Sequence, residues 1–281
     1  MTVALTNLLL VAGSAAGAWL LSFDGVRHPP RALWALNHRG VRLPLILGPV
    51  IGLVALLARF GGALAGHALA ASVTWAIPAG AAVVFAAGLL DDLRGGDDRG
   101  LLGHVSALRS GRVTTGIVKA AAAAGGGAIV VALLPGRSAL DSILSVLVMA
   151  AAANLWNGLD VAPGRAGKAF LAAGVAVMAL FTANTPVFLA AMVGAAGAAL
   201  WFDLREEAML GDSGSNLLGF VAGAHLCLRV GTAGLAAAAA ALVLLNVLAE
   251  TVTLSRLIEA SPPLRWVDRV GRRRMPARPA G

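Results

Sequence analysis

Runs of about twenty apolar residues, parted by short charged loops, recur along the chain, and that length matches what a helix needs to cross a bilayer's hydrocarbon layer. Nine segments have this character: 2–22, 43–66, 68–90, 114–134, 141–158, 167–183, 186–202, 214–229 and 231–254. Each predicts one helix. Glycine and proline inside several of them are no obstacle, because helices embedded in lipid tolerate both. The uncharged stretch from Ala169 to Phe202 is divided at Asn184, Thr185 and Pro186, where two polar residues followed by proline mark a tight turn. Nine crossings would leave the two ends of the chain on opposite sides of the membrane.

Composition sharpens this picture. Hydrophobic residues make up 58% of the 281 positions and charged residues 13%, about half the charge of an ordinary soluble domain. So few charges cannot cover a water-soluble globule of this length, and that class is excluded. The expected fold is an all-α, polytopic integral membrane protein of about nine transmembrane helices, with a single membrane domain over residues 1–260 and a basic tail over 261–281. Cys227 is the single cysteine, which rules out an internal disulfide and any multi-cysteine zinc or iron–sulfur site.

Charge sets the orientation. In the nine-span reading every Lys and Arg except Arg59, Arg137 and Arg229 falls on one side, and the positive-inside rule makes that side cytoplasmic. The N-terminus is then expected outside and the C-terminus in the cytoplasm. Residues 1–23 carry no Lys or Arg, so they lack the basic region that opens a secretory signal and read as a span that stays in place. The net charge of +8 accords with an anionic membrane surface or phosphorylated substrates, and nucleic acid is not an expected partner.

All the acids except Asp141 and Glu250 share the cytoplasmic side. Four of them, Asp91, Asp92, Asp160 and Asp212, abut the end of an apolar run, where partial desolvation is costly and so usually serves a function. In Gly88-Leu89-Leu90-Asp91-Asp92-Leu93 the adjacent carboxylates repel, which raises one pKa or recruits a cation, as a general base or metal site requires. A plain stop signal for the helix is the simpler alternative. In Asn154-Leu155-Trp156-Asn157-Gly158-Leu159-Asp160, amides three residues apart and a following carboxylate offer fixed donors and acceptors for a planar ring such as a nucleobase. Pro163-Gly164-Arg165-Ala166-Gly167-Lys168 adds a tight turn with two cations suited to phosphate oxygens, or simply to fixing topology. In Gly211-Asp212-Ser213-Gly214-Ser215-Asn216, small residues let backbone N–H groups curl round an anion and Asp212 can hold a hard cation, although capping alone would account for Ser213 or Ser215. The topology carries these segments to the cytoplasmic ends of the third, fifth and eighth spans.

Together these residues resemble the polyprenyl-phosphate N-acetylhexosamine-1-phosphate transferases over most of the chain. Members carry an Asp-Asp pair after a Gly-rich span end, as in Gly88 to Asp92. They carry an Asn-Leu-x-Asp-Gly-Leu-Asp loop, matched by Asn154 to Asp160 with Asn157 in place of the first Asp. They also carry Met-Gly-Asp-x-Gly-Ser, matched by Leu210 to Ser215 with Leu210 in place of Met. Asn37-His38-Arg39-Gly40 with Pro44 is similar to the family's first cytoplasmic loop.

The resemblance implies that residues 1–260 are catalytic and transfer a sugar 1-phosphate from a UDP-sugar to a polyprenyl phosphate. Magnesium would be the cofactor and UMP the leaving product, at the cytoplasmic face of the plasma membrane, in cell-envelope glycan synthesis. Carried over, Asp91 would deprotonate the lipid phosphate with Asp92 in support, and Asp212 would ligate the metal. Asn154, Asn157, Gly158, Leu159 and Asp160 would contact the nucleoside. Lys119, Arg165, Lys168, Ser213 and Gly214 would contact phosphate. Many members also have a tenth span and a His-rich motif in the last cytoplasmic loop. Here His28, His38, His67, His104 and His225 are scattered and the chain ends in the basic stretch Arg265 to Arg278, with His104 a candidate to face the site. A multi-span transporter and a catalytically inactive relative are the competing readings; a transport site would lie near the midplane, and Glu250 is the sole acid inside a span. A homodimer is left open by the sequence.

Overall fold

The computed structural model describes residues 3–64, 71–94, 114–180, 186–251 and 254–272. Nine helices occupy the nine apolar segments in order: α1 (Val3–Arg27), α2 (Leu47–Leu64), α3 (Ala71–Arg94), α4 (Thr115–Leu133), α5 (Ala139–Leu159), α6 (Arg165–Ala179), α7 (Val187–Leu204), α8 (Gly211–Cys227) and α9 (Thr232–Thr251). Six of them, α1, α3, α4, α5, α7 and α9, are long and apolar enough to cross a membrane. α2 is apolar but shorter, and α6 and α8 have 15 and 17 residues. Two short helices follow, α10 (Leu254–Ala260) and α11 (Pro262–Arg269).

α8 is the axis of the bundle. It packs on α3 and α5, and also on α2 and α6, and almost every residue from Ser213 to His225 is buried. Small side chains make such close packing possible between helices in lipid, where van der Waals contact rather than water exclusion drives association. α7 is enclosed in turn by α1, α2 and α6, and Leu189, Met192, Phe170, Phe220 and Met149 fill the core. On the rim, α1 and α9 leave Leu8, Leu20, Leu244 and Val247 more than half exposed, an apolar surface that a bilayer would cover.

The structure moves several boundaries. Residues 43–46, expected at the start of the second span, are not helical: β1 (Trp34–Leu36) and β2 (Arg42–Pro44) form an antiparallel hairpin with Trp34 opposite Pro44, and α2 begins at Leu47. Leu43, Leu45 and Ile46 are apolar because they are buried against the bundle. The carbonyl of Pro44 accepts the Met209 N–H, and the carbonyls of Met209 and Leu210 accept the N–H groups of Leu47 and Gly48, so the hairpin is sewn to the turn before α8. α8 starts at Gly211 rather than 214 and therefore carries Asp212 in its first turn, and α6 stops at Ala179 rather than 183. Part of the expected basic tail is folded, as α11. His67, His104, Asp97, Asp98, Asn184 and Thr185 lie outside the described residues, as do residues 273–281.

Candidate active site

The site begins with a close approach of two backbones. A Cβ on Gly88 of α3 would lie 2.6 Å from the carbonyl oxygen of Asp212 and 2.7 Å from Ser213 N and Cα, so only glycine lets α3 reach the start of α8. Gly211 adopts φ +70°, a conformation glycine enters without steric cost, and so turns the chain into α8. The N–H groups of Asp212 and Ser213 then meet the carboxylate of Asp92, at 2.8 Å to Oδ1 and 3.0 Å to Oδ2. Leu210, the cap residue of α8, offers no side-chain acceptor of its own. Asp92 therefore caps α8 from a neighbouring helix, where the orphan N–H groups and the helix dipole favour an anion.

Asp91, one residue earlier on α3, faces elsewhere. Lys119 of α4 extends its ammonium to Asp91 Oδ2 at 2.6 Å and to Asp212 Oδ2 at 2.8 Å. Both carboxylates are mostly shielded from solvent, with side chains 10% and 31% exposed. One cation thus serves two carboxyl groups. Asp91 Oδ1 is buried with no hydrogen-bond partner among the described residues, and so is the hydroxyl of Ser213. Gly214 sits where α2 and α8 touch, a Cβ there meeting Gly48 Cα at 2.8 Å.

This donor set fits magnesium. That ion is usually held by one or two carboxylates together with substrate phosphate oxygens and water, rather than by a full cage of protein ligands. Asp91 and Asp212 supply two hard oxygen donors, one of them an orphaned buried oxygen. Among the described residues there is no group of three or more His, Cys, Asp and Glu that would hold a metal alone, so phosphate would have to complete the shell.

The second expected segment joins the first through Asn157. The hydroxyl of Ser215 on α8 donates to Asn157 Oδ1 (3.2 Å) and to the Gly211 carbonyl (2.9 Å), one proton shared between two acceptors. Asp160 caps the end of α5, and burial together with the negative charge of Asp203, Asp212 and Asp92 pushes its carboxyl well above the ordinary carboxylate range. Leu159 packs on the core and Gly158 faces Leu254. Asn154 points away from this group: its amide donates to Asn246 on α9 at 2.6 Å, and Asn246 donates to the Ala151 carbonyl.

The expected phosphate cations Arg165 and Lys168 are engaged by the C-terminal segment. Arg165 is buried and directs Nε and Nη2 to the two oxygens of Asp268 at 3.0 and 3.3 Å, and Nη1 to Ser255. Lys168 donates to the carbonyls of Val267 and Asp268. Arg272 closes the cluster, reaching Asp268 Oδ1 at 2.5 Å and the Pro163 carbonyl at 3.0 Å. Burial works upward on the Asp268 carboxyl, but its hydrogen bonds to Arg165 and the charges of Arg165, Arg272 and Lys168 outweigh it and hold the group below its usual value. The turn before Arg165 is fixed by Asp203, whose carboxylate accepts the N–H of Gly164 at 2.8 Å.

Asp91, Lys119, Asp212, Asp92, Asn157 and Ser215 thus meet at the start of α8, with Asp160 near enough to feel the charge of Asp212 and Asp92. The sequence model of glycosyl transferase family 4 matches residues 74–230, more than half of the chain and every member of this group. The chain belongs to glycosyl transferase family 4. No curated protein matches it. Membership makes the protein a membrane-embedded transferase of the phospho-sugar kind, in agreement with the family expected from its motifs. Four residues of the family 4 enzyme were not singled out from sequence. Asp203 carries the same mark as the others, an acid closing an apolar run. Glu206 stands at φ +54°, rare outside glycine, and binds Asn37 at 2.9 Å and Arg39 at 3.4 Å in the hairpin, which no local pattern announces. Asp268 is a lone acid among arginines, and Asn246 is an amide within an apolar helix, each readable only as an oddity.

Proposed function

We propose that the protein transfers a sugar 1-phosphate from a UDP-sugar to a polyprenyl phosphate, releasing UMP, on the cytoplasmic side of a plasma membrane that the chain crosses nine times. The observation that carries this reading is Lys119 held between Asp91 and Asp212, with Asp92 fixing the helix start on which Asp212 stands. An oxygen of the lipid phosphate would attack the phosphorus bonded to the sugar, forming one P–O bond while the bond to the UMP oxygen breaks. Both reactants are anions, so the main task of the site is to offset repulsion between them.

Lys119 is placed to move its ammonium from the carboxylates to an incoming phosphate, which uncovers one oxygen of Asp91 and one of Asp212. Asp212 and Asp91 would hold magnesium, which when bound polarises phosphoryl oxygens and neutralises the charge that develops on them. Asn157 and Asp160 are the residues best placed to read the uridine. Burial and the neighbouring acids push the Asp160 carboxyl upward, which favours its neutral form, and that form can donate a hydrogen bond as well as accept one. A long apolar acceptor must stay in lipid while its phosphate reaches the helix ends, which suits a rim of exposed apolar residues beside a charged site.

The test is UMP release by purified protein given undecaprenyl phosphate and a panel of UDP-sugars, with and without magnesium. Turnover that needs magnesium and is lost in both Asp91→Asn and Asp212→Asn supports the proposal. No turnover of any sugar nucleotide overturns it. A reporter fused after Gly281 should sit in the cytoplasm.

A further inference from the structure

α11 has two dissimilar faces. Its inward side carries Asp268, locked to Arg165 and Arg272, with Lys168 on the neighbouring carbonyls. Its outward side carries Leu264, Trp266 and Val267, followed by Val270 just past its end, and these are 52, 70, 47 and 47% exposed. Four large apolar side chains presented together are costly to leave in water. Arg265 and Arg269 flank them, and the sequence goes on through Arg272, Arg273, Arg274 and Arg278. From residue 254 onward the acids are Glu259 and Asp268, and both are already paired, Glu259 with Arg269 at 2.9 Å and Asp268 as above.

We propose that the segment Pro262–Arg272 lies on the anionic surface of the membrane that the bundle spans, with Trp266 and its apolar neighbours in the headgroup layer and the arginines against lipid phosphates. Its place in the fold supports this. The segment is tied to Arg165 and the Pro163 carbonyl, at the start of α6, which is where the bundle's helices end and the headgroups would begin. Tryptophan and arginine are the residues that favour this layer, one through its amphipathic ring and the other through charge attraction to acidic lipids. A second copy of the chain fits the surface poorly, because it would bring the same arginines into contact with these. An aqueous acidic protein would match the charge but not the four apolar side chains.

The test uses the full chain in lipid nanodiscs, one set of pure phosphatidylcholine and one of phosphatidylcholine and phosphatidylglycerol in equal parts. In a Cys227→Ala background, Trp266→Cys and separately Leu264→Cys carry a nitroxide, and a third label at Arg39→Cys on the exposed hairpin tip reports free solvent. The expected result is severalfold lower accessibility to a water-soluble relaxation agent at 266 and 264 in the anionic discs, no such change at 39, and recovery of accessibility in Arg265→Gln/Arg269→Gln. Equal accessibility at 266 in both lipids overturns the proposal, whether the label is wet in both or protected in both. The readout is independent of sugar transfer, so it stands or falls apart from the proposed function.

Discussion

Two ion clusters, one partly shielded and one more deeply buried, sit at the same end of the bundle and are built to opposite stoichiometries. Around Lys119, one cation is divided between two carboxylates and a buried carboxylate oxygen is left without a hydrogen bond. Around Asp268, one carboxylate is divided between two guanidinium groups, and every nitrogen of Arg165 has an acceptor. The first cluster is short of positive charge and of donors, the condition of a site awaiting a ligand. The second is complete, the condition of a joint. In this structure Arg165, expected at phosphate, fastens the C-terminal segment, 103 residues away.

If that contrast is right, the two clusters fail differently when broken. Asp212→Asn and Asp91→Asn should lower turnover the most, by about a hundredfold or more, in the range measured for loss of one preorganised electrostatic group. Their unfolding midpoints in detergent should stay near wild type, since in either variant Lys119 keeps the other carboxylate as its partner. A thermal shift as large as the loss of turnover would mean that this cluster too is a joint.

Asp268→Ala should do the reverse. It leaves the buried Arg165 and the partly exposed Arg272 beside each other without a counter-ion, at a cost of about 3 kcal/mol, the low end for breaking a buried pair from one side. Thermal unfolding measures it, and Asp268→Asn, which keeps one acceptor oxygen, should lose less. Gly88→Ala falls between the clusters in kind, because its Cβ would press on the backbone of Asp212 and Ser213 and force α3 from α8. About 1 to 3 kcal/mol is usual for such overpacking. Here turnover should drop as well, since the displaced helix start carries Asp212.

The joint also has a pH signature. The Asp268 pKa lies below its ordinary 3.8 in the folded protein, so the carboxylate's contribution is fully present above that value and is lost as pH falls through the depressed one. The difference in unfolding midpoint between wild type and Asp268→Asn should be constant from neutral pH to about pH 5 and shrink below about pH 4. A difference that disappears already near neutrality would show that the carboxylate is not ionised in the joint.

How much of this was open to a reader of the sequence depends on distance along the chain. Helices were legible because burial in lipid writes long apolar runs. The hairpin was not, since Leu43 to Ile46 are equally apolar for a different reason, namely contact with the bundle. Asp91 and Asp92 look alike in sequence. Adjacent residues on a helix point about 100° apart, so one faces Lys119 and the other the start of α8, and only the fold separates a ligand-facing acid from a cap. Asp268 was hidden because its meaning lies wholly in Arg165, and a basic tail with one acid has no periodicity to betray a contact. The family match, over 74–230, likewise stops short of both the hairpin and this segment.

The smallest expected effect tests the finest part of the contrast, whether Asn157 belongs to the ligand or to the frame. Its oxygen receives the Ser215 hydroxyl, but that hydroxyl has a second acceptor in the Gly211 carbonyl at 2.9 Å, so removing Asn157 leaves no donor stranded. Asn157→Leu should therefore change stability little. If the amide reads the nucleoside, the same change should raise KM for the UDP-sugar about two- to tenfold, the loss of one ordinary hydrogen bond, with kcat held. Asn157→Asp, the residue usual at this place in the family, keeps the acceptor for Ser215 but adds a negative charge to a neighbourhood whose acids already push the Asp160 carboxyl upward. It should bind the donor less tightly at high pH than at low, because the added carboxyl repels the donor's phosphates only when it is ionised. A KM that ignores both substitutions would move Asn157 to the frame and leave Asp160 as the reader of the base.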